Sequence, residues 1–167
     1  MKPSLSNNSL VKSTSSLFRF FCEKNVLEAM LNILKKSKSK DIIIQIIQSL
    51  SMYLTNIKKA VNISTVFQRL SLNMLDFILS NNSINEFITH NFDFNDDETV
   101  DYYISFLKSL SLRLETIPLE LFYNKKYKDF PMLSRAVRFY NYPGSMVRTS
   151  VHNITLSLFQ CNSRISE

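Results

Sequence analysis

Apolar residues return at helical spacing along most of this chain. After Asp41, the residues Ile43, Ile46/Ile47, Leu50, Tyr53/Leu54 and Ile57 recur every three or four positions, the period of one helix face. The β-branched run Ile42–Ile44 would suit a strand, but the period continues well beyond it, so the segment predicts a helix with Asp41 as its N-cap. The same spacing predicts a helix over 64–79, capped by Ser64 and carrying Val66, Phe67, Leu70, Met74, Phe77 and Ile78. It is most regular in Val100, Tyr103/Ile104, Leu107, Leu110 and Leu114.

Polar breaks separate these runs. Ser15 or Ser16 opens a short helix to Glu23, and Lys24-Asn25 parts it from the run Val26–Lys36. Lys36–Lys40 reads as a connection, and Asn81-Asn82 precedes a short helix from Ser83 to about His90. Asn95-Asp-Asp-Glu98 forms an Asn-x-x-Glu variant of the capping box ahead of the Val100 helix. Pro118 stops that helix, Leu119–Tyr123 has room for little more than a turn, and Asn124–Lys128 is a charged loop. Pro131 suits a first helical turn, where its missing N–H costs nothing, and that helix is expected to reach about Asn141. Tyr142-Pro143-Gly144 is a break; Ser145 opens the last helix, with Met146/Val147, Ser150/Val151, Ile154 and Leu158 facing inward.

The expectation is an all-α fold, an armadillo/HEAT-like stack of about six or seven helices. Residues 1–14 would be a flexible lead, 15–161 the helical domain and 162–167 a tail. No repeat of fixed period is visible, so the likeness to helical arrays concerns architecture alone.

Composition narrows the chemistry. With 167 residues and 45% apolar content, the chain can bury one core. It has one glycine, Gly144, whereas phosphate loops, nucleophile elbows and dinucleotide turns need several. Two cysteines, Cys22 and Cys161, and two histidines, His90 and His152, supply no metal-ligand spacing and no disulfide framework. No metal, nucleotide or other cofactor is therefore expected, and no catalytic residue. The polar, Ser/Asn-rich start has no apolar h-region, and no apolar stretch approaches the ~20 residues of a membrane span; a cytosolic compartment is the expectation.

The charge of +6 is unevenly placed. Residues 1–60 hold ten Lys/Arg and three Asp/Glu, residues 61–124 three and nine, and residues 125–167 seven and two. Basic ends around an acidic middle do not form the continuous basic stripe of a nucleic-acid binder. They leave open ordinary solvated faces, or weak attraction to an anionic membrane or acidic partner. The loop patch Lys125-Lys-Tyr-Lys128 lacks the interleaved aromatics of a nucleic-acid groove. The acidic run Asp93, Asp96, Asp97, Glu98 and Asp101 has no glycine for a calcium loop and reads as helix capping. His152 is expected to be structural or superficial. Arg148, beside Met146 and Val147, is either an exposed arginine or one that pairs with a carboxylate or helix end.

Four stretches resemble a known family. They are Phe20-Phe-Cys-Glu-Lys-Asn25 with Leu31-Asn-Ile-Leu34; Gln45-Ile-Ile-Gln48 with Leu50; Leu79-Ser-Asn-Asn82, His90-Asn-Phe-Asp-Phe94 and Tyr102 through Leu114; and Phe122-Tyr-Asn124, Ala136-Val-Arg-Phe139, Pro143, Met146-Val-Arg148 and Ile154-Thr-Leu156. In order and together, over residues about 16–160, these resemble the FPL domain. That domain is the N-terminal region of the endosomal maturation defective (Ema), or C-type lectin domain "sixteen A", family. This chain departs from the family pattern in a longer stretch between Ile57 and Leu79, in Tyr142-Pro-Gly where His-Pro-Glu is expected, and in Ser150 and His152 for alanine and arginine. It also lacks the helix before Phe20-Phe and the C-terminal continuation, so it reads as a truncated member. The resemblance singles out Phe92, Phe94, Tyr102, Tyr103, Phe139, Pro143, Met146 and Arg148 as structural or interaction positions. It implies a cytoplasmic scaffold of endosome–lysosome trafficking and autophagy. Its partners would be a tethering complex, a Rab-type GTPase or another trafficking scaffold, with peripheral membrane association left open. An accessory part in a ubiquitin-ligase or GTPase-regulating complex is the alternative. Arg148 is expected to tie the last helix pair to the Asn95–Leu114 helix or its neighbour, with Met146 and Val147 buried against the preceding helix.

Overall fold

The computed structural model describes residues 20, 23–61, 82–113, 122–123 and 128–165. The expected lead over 1–14, the helix over 64–79, Leu114, Pro118 and the patch at 125–127 lie outside the described residues. Within them the fold is all-α, with six α-helices and no strand. These are α1 (Val26–Lys36), α2 (Lys40–Val61), α3 (Ser83–Thr89), α4 (Asp97–Ser111), α5 (Pro131–Ala136) and α6 (Ser145–Ile165).

The helices alternate short and long, and this alternation becomes two layers. The long helix α4 packs between α2 and α6, while α3 packs between α1 and α5. Each short helix thus precedes a long one, and three successive helix pairs stack side by side. Such a stack follows from helices that are apolar on one broad face and must bury it against a neighbour. The pairs differ too much in helix length, 11 and 22 residues in the first against 7 and 15 in the second, to form repeats of one length.

The period read from the sequence is the period of burial. Ile47, Leu50 and Leu54 on α2, Val100, Tyr103, Ile104, Leu107 and Leu110 on α4, and Val147, Val151, Ile154 and Leu158 on α6 are all buried in one continuous core. Each such side chain contributes about 1.5–3 kcal/mol by leaving water. Leu27, Leu31 and Leu34 give α1 the same kind of face.

Several boundaries differ from expectation for local reasons. Asp41 lies inside the first turn of α2; the residue at its start is Ser39, whose carbonyl accepts from Ile43 N–H at 3.1 Å. The cap of α4 is Asp96, one residue beyond the Asn95 of the expected capping box. Its Oδ2 accepts from Thr99 N–H at 2.9 Å and Thr99 Oγ1 at 2.6 Å, while Asn95 turns back to Asp93. The helix from Pro131 ends at Ala136 and tightens into a 3₁₀ turn over Val137–Phe139, so it falls short of Asn141. The tighter turn ends at Phe139, whose ring is buried in the core.

Glycine scarcity did not remove left-handed turns. Asn25 (φ 46°) and Asn82 (φ 55°) take that conformation immediately before α1 and α3, and Lys128 (φ 49°) does so before α5. Asparagine tolerates this region better than most residues. Gly144 itself has no positive φ, and a Cβ added there would meet the Tyr142 ring at 3.5 Å, an ordinary contact.

Candidate functional site

The positions singled out by sequence divide into a buried cluster and a junction ahead of α6. In the cluster, Tyr103 is fully buried on α4 and meets the rings of Phe92 (5.2 Å), Phe94 (5.1 Å) and Phe139 (6.3 Å). Phe94 also packs edge-on against Phe139 at 5.0 Å. Tyr102 is half-buried against the same core. The Tyr103 hydroxyl donates to the Ile88 carbonyl at 2.7 Å, and Arg135 Nη2 donates to the neighbouring Thr89 carbonyl at 2.9 Å. These are last-turn carbonyls of α3, which no N–H within a seven-residue helix can reach. Side chains from α4 and α5 therefore complete α3. Burial pushes the Tyr103 phenol well above its usual range, so it remains a neutral donor. The cluster is architectural.

The junction joins α6 to α4 through Tyr142. Arg148 Nη1 donates to the carbonyls of Tyr142 (2.7 Å) and Pro143 (2.6 Å), and the Tyr142 hydroxyl donates to Asp97 at the start of α4. That hydrogen bond first, then desolvation and the charges of Asp97, Asp101 and Asp96, push the Tyr142 phenol up to about 12. The expected tie from Arg148 to the Asn95–Leu114 helix or its neighbour is thus corrected. Arg148 bonds the backbone of the preceding turn, and Tyr142 makes the link to α4. Pro143 is exposed at the bend. Met146, expected to be buried, is 82% exposed. The buried stripe of α6 runs through 147, 151, 154 and 158, so residue 146 lies about 100° from its centre.

Two polar features escaped the sequence. Lys40 Nζ contacts Asp96 at 2.7 Å and Glu98 at 2.9 Å, joining the start of α2 to the start of α4. Lys35 pairs with Glu86 at 2.8 Å. The lysine-rich connection is therefore folded onto the acidic block and partly neutralised by it, which no count along the chain could reveal. The hydrogen bond from Lys40 first, then that from Thr99, holds the Asp96 carboxyl down to about 2. Its usual value is about 3.9, so the stabilisation it contributes is complete above that value and is lost as pH falls through about 2. Burial first, then the Lys35 charge, lowers the pKa of His90, which packs on Phe92 at 4.8 Å. Its contribution is present above about pH 6.5 and fades below it. We expect Asp96→Asn to lower the melting temperature at neutral pH, with the gap from the parent closing between about pH 4 and 2. Melting curves of both proteins across that range check this, and a gap that persists unchanged at the acid end rejects the assignment.

Exposed apolar side chains occur on several elements, Met52 and Tyr140 among them; α6 carries a groove and an outer pair. On its side facing α4 is a shallow groove of about 250 Å³ lined by Asp101, Ile104, Ser105, Lys108, Met146, Val147 and Ser150. On its outer side Leu156 and Phe159 are 57% and 62% exposed, near the Tyr140–His152 ring pair at 5.0 Å. The signal for this outer stripe was in the sequence, since Leu156 and Phe159 lie one helical turn apart and off the buried stripe. Among the described residues there is no group of three or more His, Cys, Asp or Glu side chains placed to hold a metal ion. No helix among them is long and apolar enough to cross a membrane.

The arrangement defines a layered all-helical module whose polar groups are spent on helix ends and junctions, with open apolar surface on its last helix. The chain belongs to the FPL family. The FPL family model, described as "Uncharacterised conserved protein", matches residues 10–159. Protein CLEC16A of Homo sapiens is 39% identical over 149 residues, which cover 89% of this chain and 13% of that protein. The Protein CLEC16A homolog of Drosophila melanogaster is 37% identical over 148 residues, covering 87% of this chain and 13% of that protein. Protein TRANSPARENT TESTA 9 of Arabidopsis thaliana is 30% identical over 145 residues, covering 85% of this chain and 16% of that protein. The chain thus spans well under a fifth of the length of these relatives. No solved structure matches.

Proposed function

We propose that this chain is a non-enzymatic adaptor module of endosome–lysosome membrane trafficking and autophagy that works in the cytoplasm by binding other proteins. Its partners would be a tethering complex, a Rab-type GTPase or a further trafficking scaffold. The observation that carries the reading is the pair of apolar side chains on the outer side of α6, Leu156 and Phe159, one helical turn apart and each more than half exposed. Exposed apolar patches of this kind mark interaction sites in soluble proteins. A layered helical stack also offers extended faces to a partner. Membership of the FPL family, and the family's resemblance-implied place in the endosomal system, supply the context.

Affinity capture from cells tests this reading. The parent chain is expected to enrich endosomal tethers or Rab-type GTPases, and Leu156→Glu with Phe159→Glu is expected to reduce that enrichment while preserving the helical circular-dichroism signal. Capture of no endosomal or lysosomal protein by the parent chain rejects the proposal.

A further inference from the structure

The groove between α4 and α6 has a polarity of its own. Its floor is apolar, formed by Ile104 and Val147, and Met146 stands at its rim almost fully exposed. At one end is Asp101, and at the other Lys108. The two are seven residues apart on α4, about 10 Å along its axis.

Among the described residues the acidic end is not neutralised from within. Lys40 engages Asp96 and Glu98 on the other side of the α4 start. Among the described residues, Asp97 accepts from the neutral Tyr142 hydroxyl and neither it nor Asp101 forms an ion pair. Arg148, the nearest cation on α6, is committed to two backbone carbonyls. Lys108 likewise has no carboxylate partner among the described residues. The groove therefore presents an anion, an apolar step and a cation in order, with both charges open to a visitor.

We propose that this groove receives an amphipathic helix of a partner protein carrying a basic residue, a large apolar residue and an acidic residue at i, i+3 or i+4, and i+7. That spacing puts all three on one helix face and spans the distance from Asp101 to Lys108. The apolar residue packs against exposed Met146 over the buried Ile104 and Val147, the basic one faces Asp101 and Asp97, and the acidic one faces Lys108. Helix-in-groove recognition has this form, with apolar anchors supplying affinity and rim charges setting direction. The inference rests on the adaptor reading and names the kind of partner segment that this surface takes.

The test uses the whole chain and two synthetic helical peptides. One carries Arg, Leu and Glu at the stated spacing; the other carries Glu, Leu and Arg in the same scaffold. Isotope-labelled protein is titrated with each and followed by amide chemical shifts. The first peptide is expected to shift Ile104, Ser105, Met146, Val147 and Ser150 and to bind roughly tenfold more tightly than the second in one orientation. Because a helix can dock in either direction and so present its charges in either order, the protein variant Asp101→Asn with Lys108→Gln supplies the decisive arm. It is expected to weaken whichever peptide the parent binds, and its melting temperature reports whether it folds as the parent does.

Equal binding of both peptides by parent and variant overturns the proposal, as does no binding or shifts confined to Tyr140, Leu156 and Phe159. Shifts that follow protein concentration without peptide assign the groove to a second copy and also overturn it. None of these outcomes bears on cellular capture of trafficking proteins, so the adaptor reading stands or falls separately.

Discussion

Tyr103→Ala is expected to cost about 3–5 kcal/mol of folding stability, the range for truncating a large ring in a closed core. The ring touches Phe92, Phe94 and Phe139, so its loss opens a cavity where α4, the 3₁₀ turn after α5 and the 90–95 loop meet. Tyr103→Phe keeps the ring and removes the donor to the Ile88 carbonyl. It should cost about 1–3 kcal/mol, because a buried acceptor is left unmatched. Urea unfolding of the three proteins checks both figures. If Tyr103→Phe unfolds with the parent, the hydroxyl does not complete α3, and if Tyr103→Ala does so too, the cluster is not part of the core.

Arg148→Ala should cost about 1–3 kcal/mol, since one guanidinium nitrogen serves two carbonyls at the turn before α6 and charged donors make the stronger hydrogen bonds. Arg148→Lys should recover part of this loss. An ammonium keeps the charge and the donors, but its shorter, flexible stem does not hold them in place as the planar guanidinium does. The loss should also loosen Tyr142, whose hydroxyl links this turn to Asp97. Tyr142→Phe combined with Arg148→Ala should then cost less than the sum of the two single changes, as expected for neighbours that act through one turn. Thermal melts of the four proteins decide the matter. Additive losses would mean that the two side chains hold the junction independently.

Much of the fold was readable because burial and periodicity are the same fact seen from two sides. The run from Val100 to Leu110 announces α4, and Asn25, Asn82 and Tyr142-Pro143-Gly144 mark helix boundaries that the structure keeps. What was not readable depends on the third dimension or on the backbone. In Asn95-Asp-Asp-Glu98 any of several residues could cap a helix; which one does is decided by where α4 must begin to pack, and Lys40 reaches in from α2 to help hold Asp96 there. Met146 sits next to a buried valine in sequence but a quarter turn away in space. Arg148 was expected to pair with a carboxylate or a helix end; its acceptors are peptide carbonyls, but those of the turn just before its own helix, which no side-chain pattern displays. Phe92, Tyr103 and Phe139 were singled out from the sequence without a sign of what they do; the structure buries all three in one aromatic cluster, an architectural placement.

The two left-handed asparagines at the entrances to α1 and α3 bear on the unfolded chain as much as on the folded one. Glycine would adopt the same backbone without strain, but it would also give the denatured ensemble more freedom to lose. Replacing glycine by a residue with a Cβ, where the native conformation allows it, is worth about 0.4–1 kcal/mol through that ensemble alone. At Asn82 the side chain adds an acceptor for Asn85 Nδ2 at 3.0 Å, which glycine cannot offer. A chain with a single glycine thus enters its short helices from a denatured state already narrowed at the points where the path must turn, and the modest strain of φ near 50° is set against a smaller loss of disorder on folding.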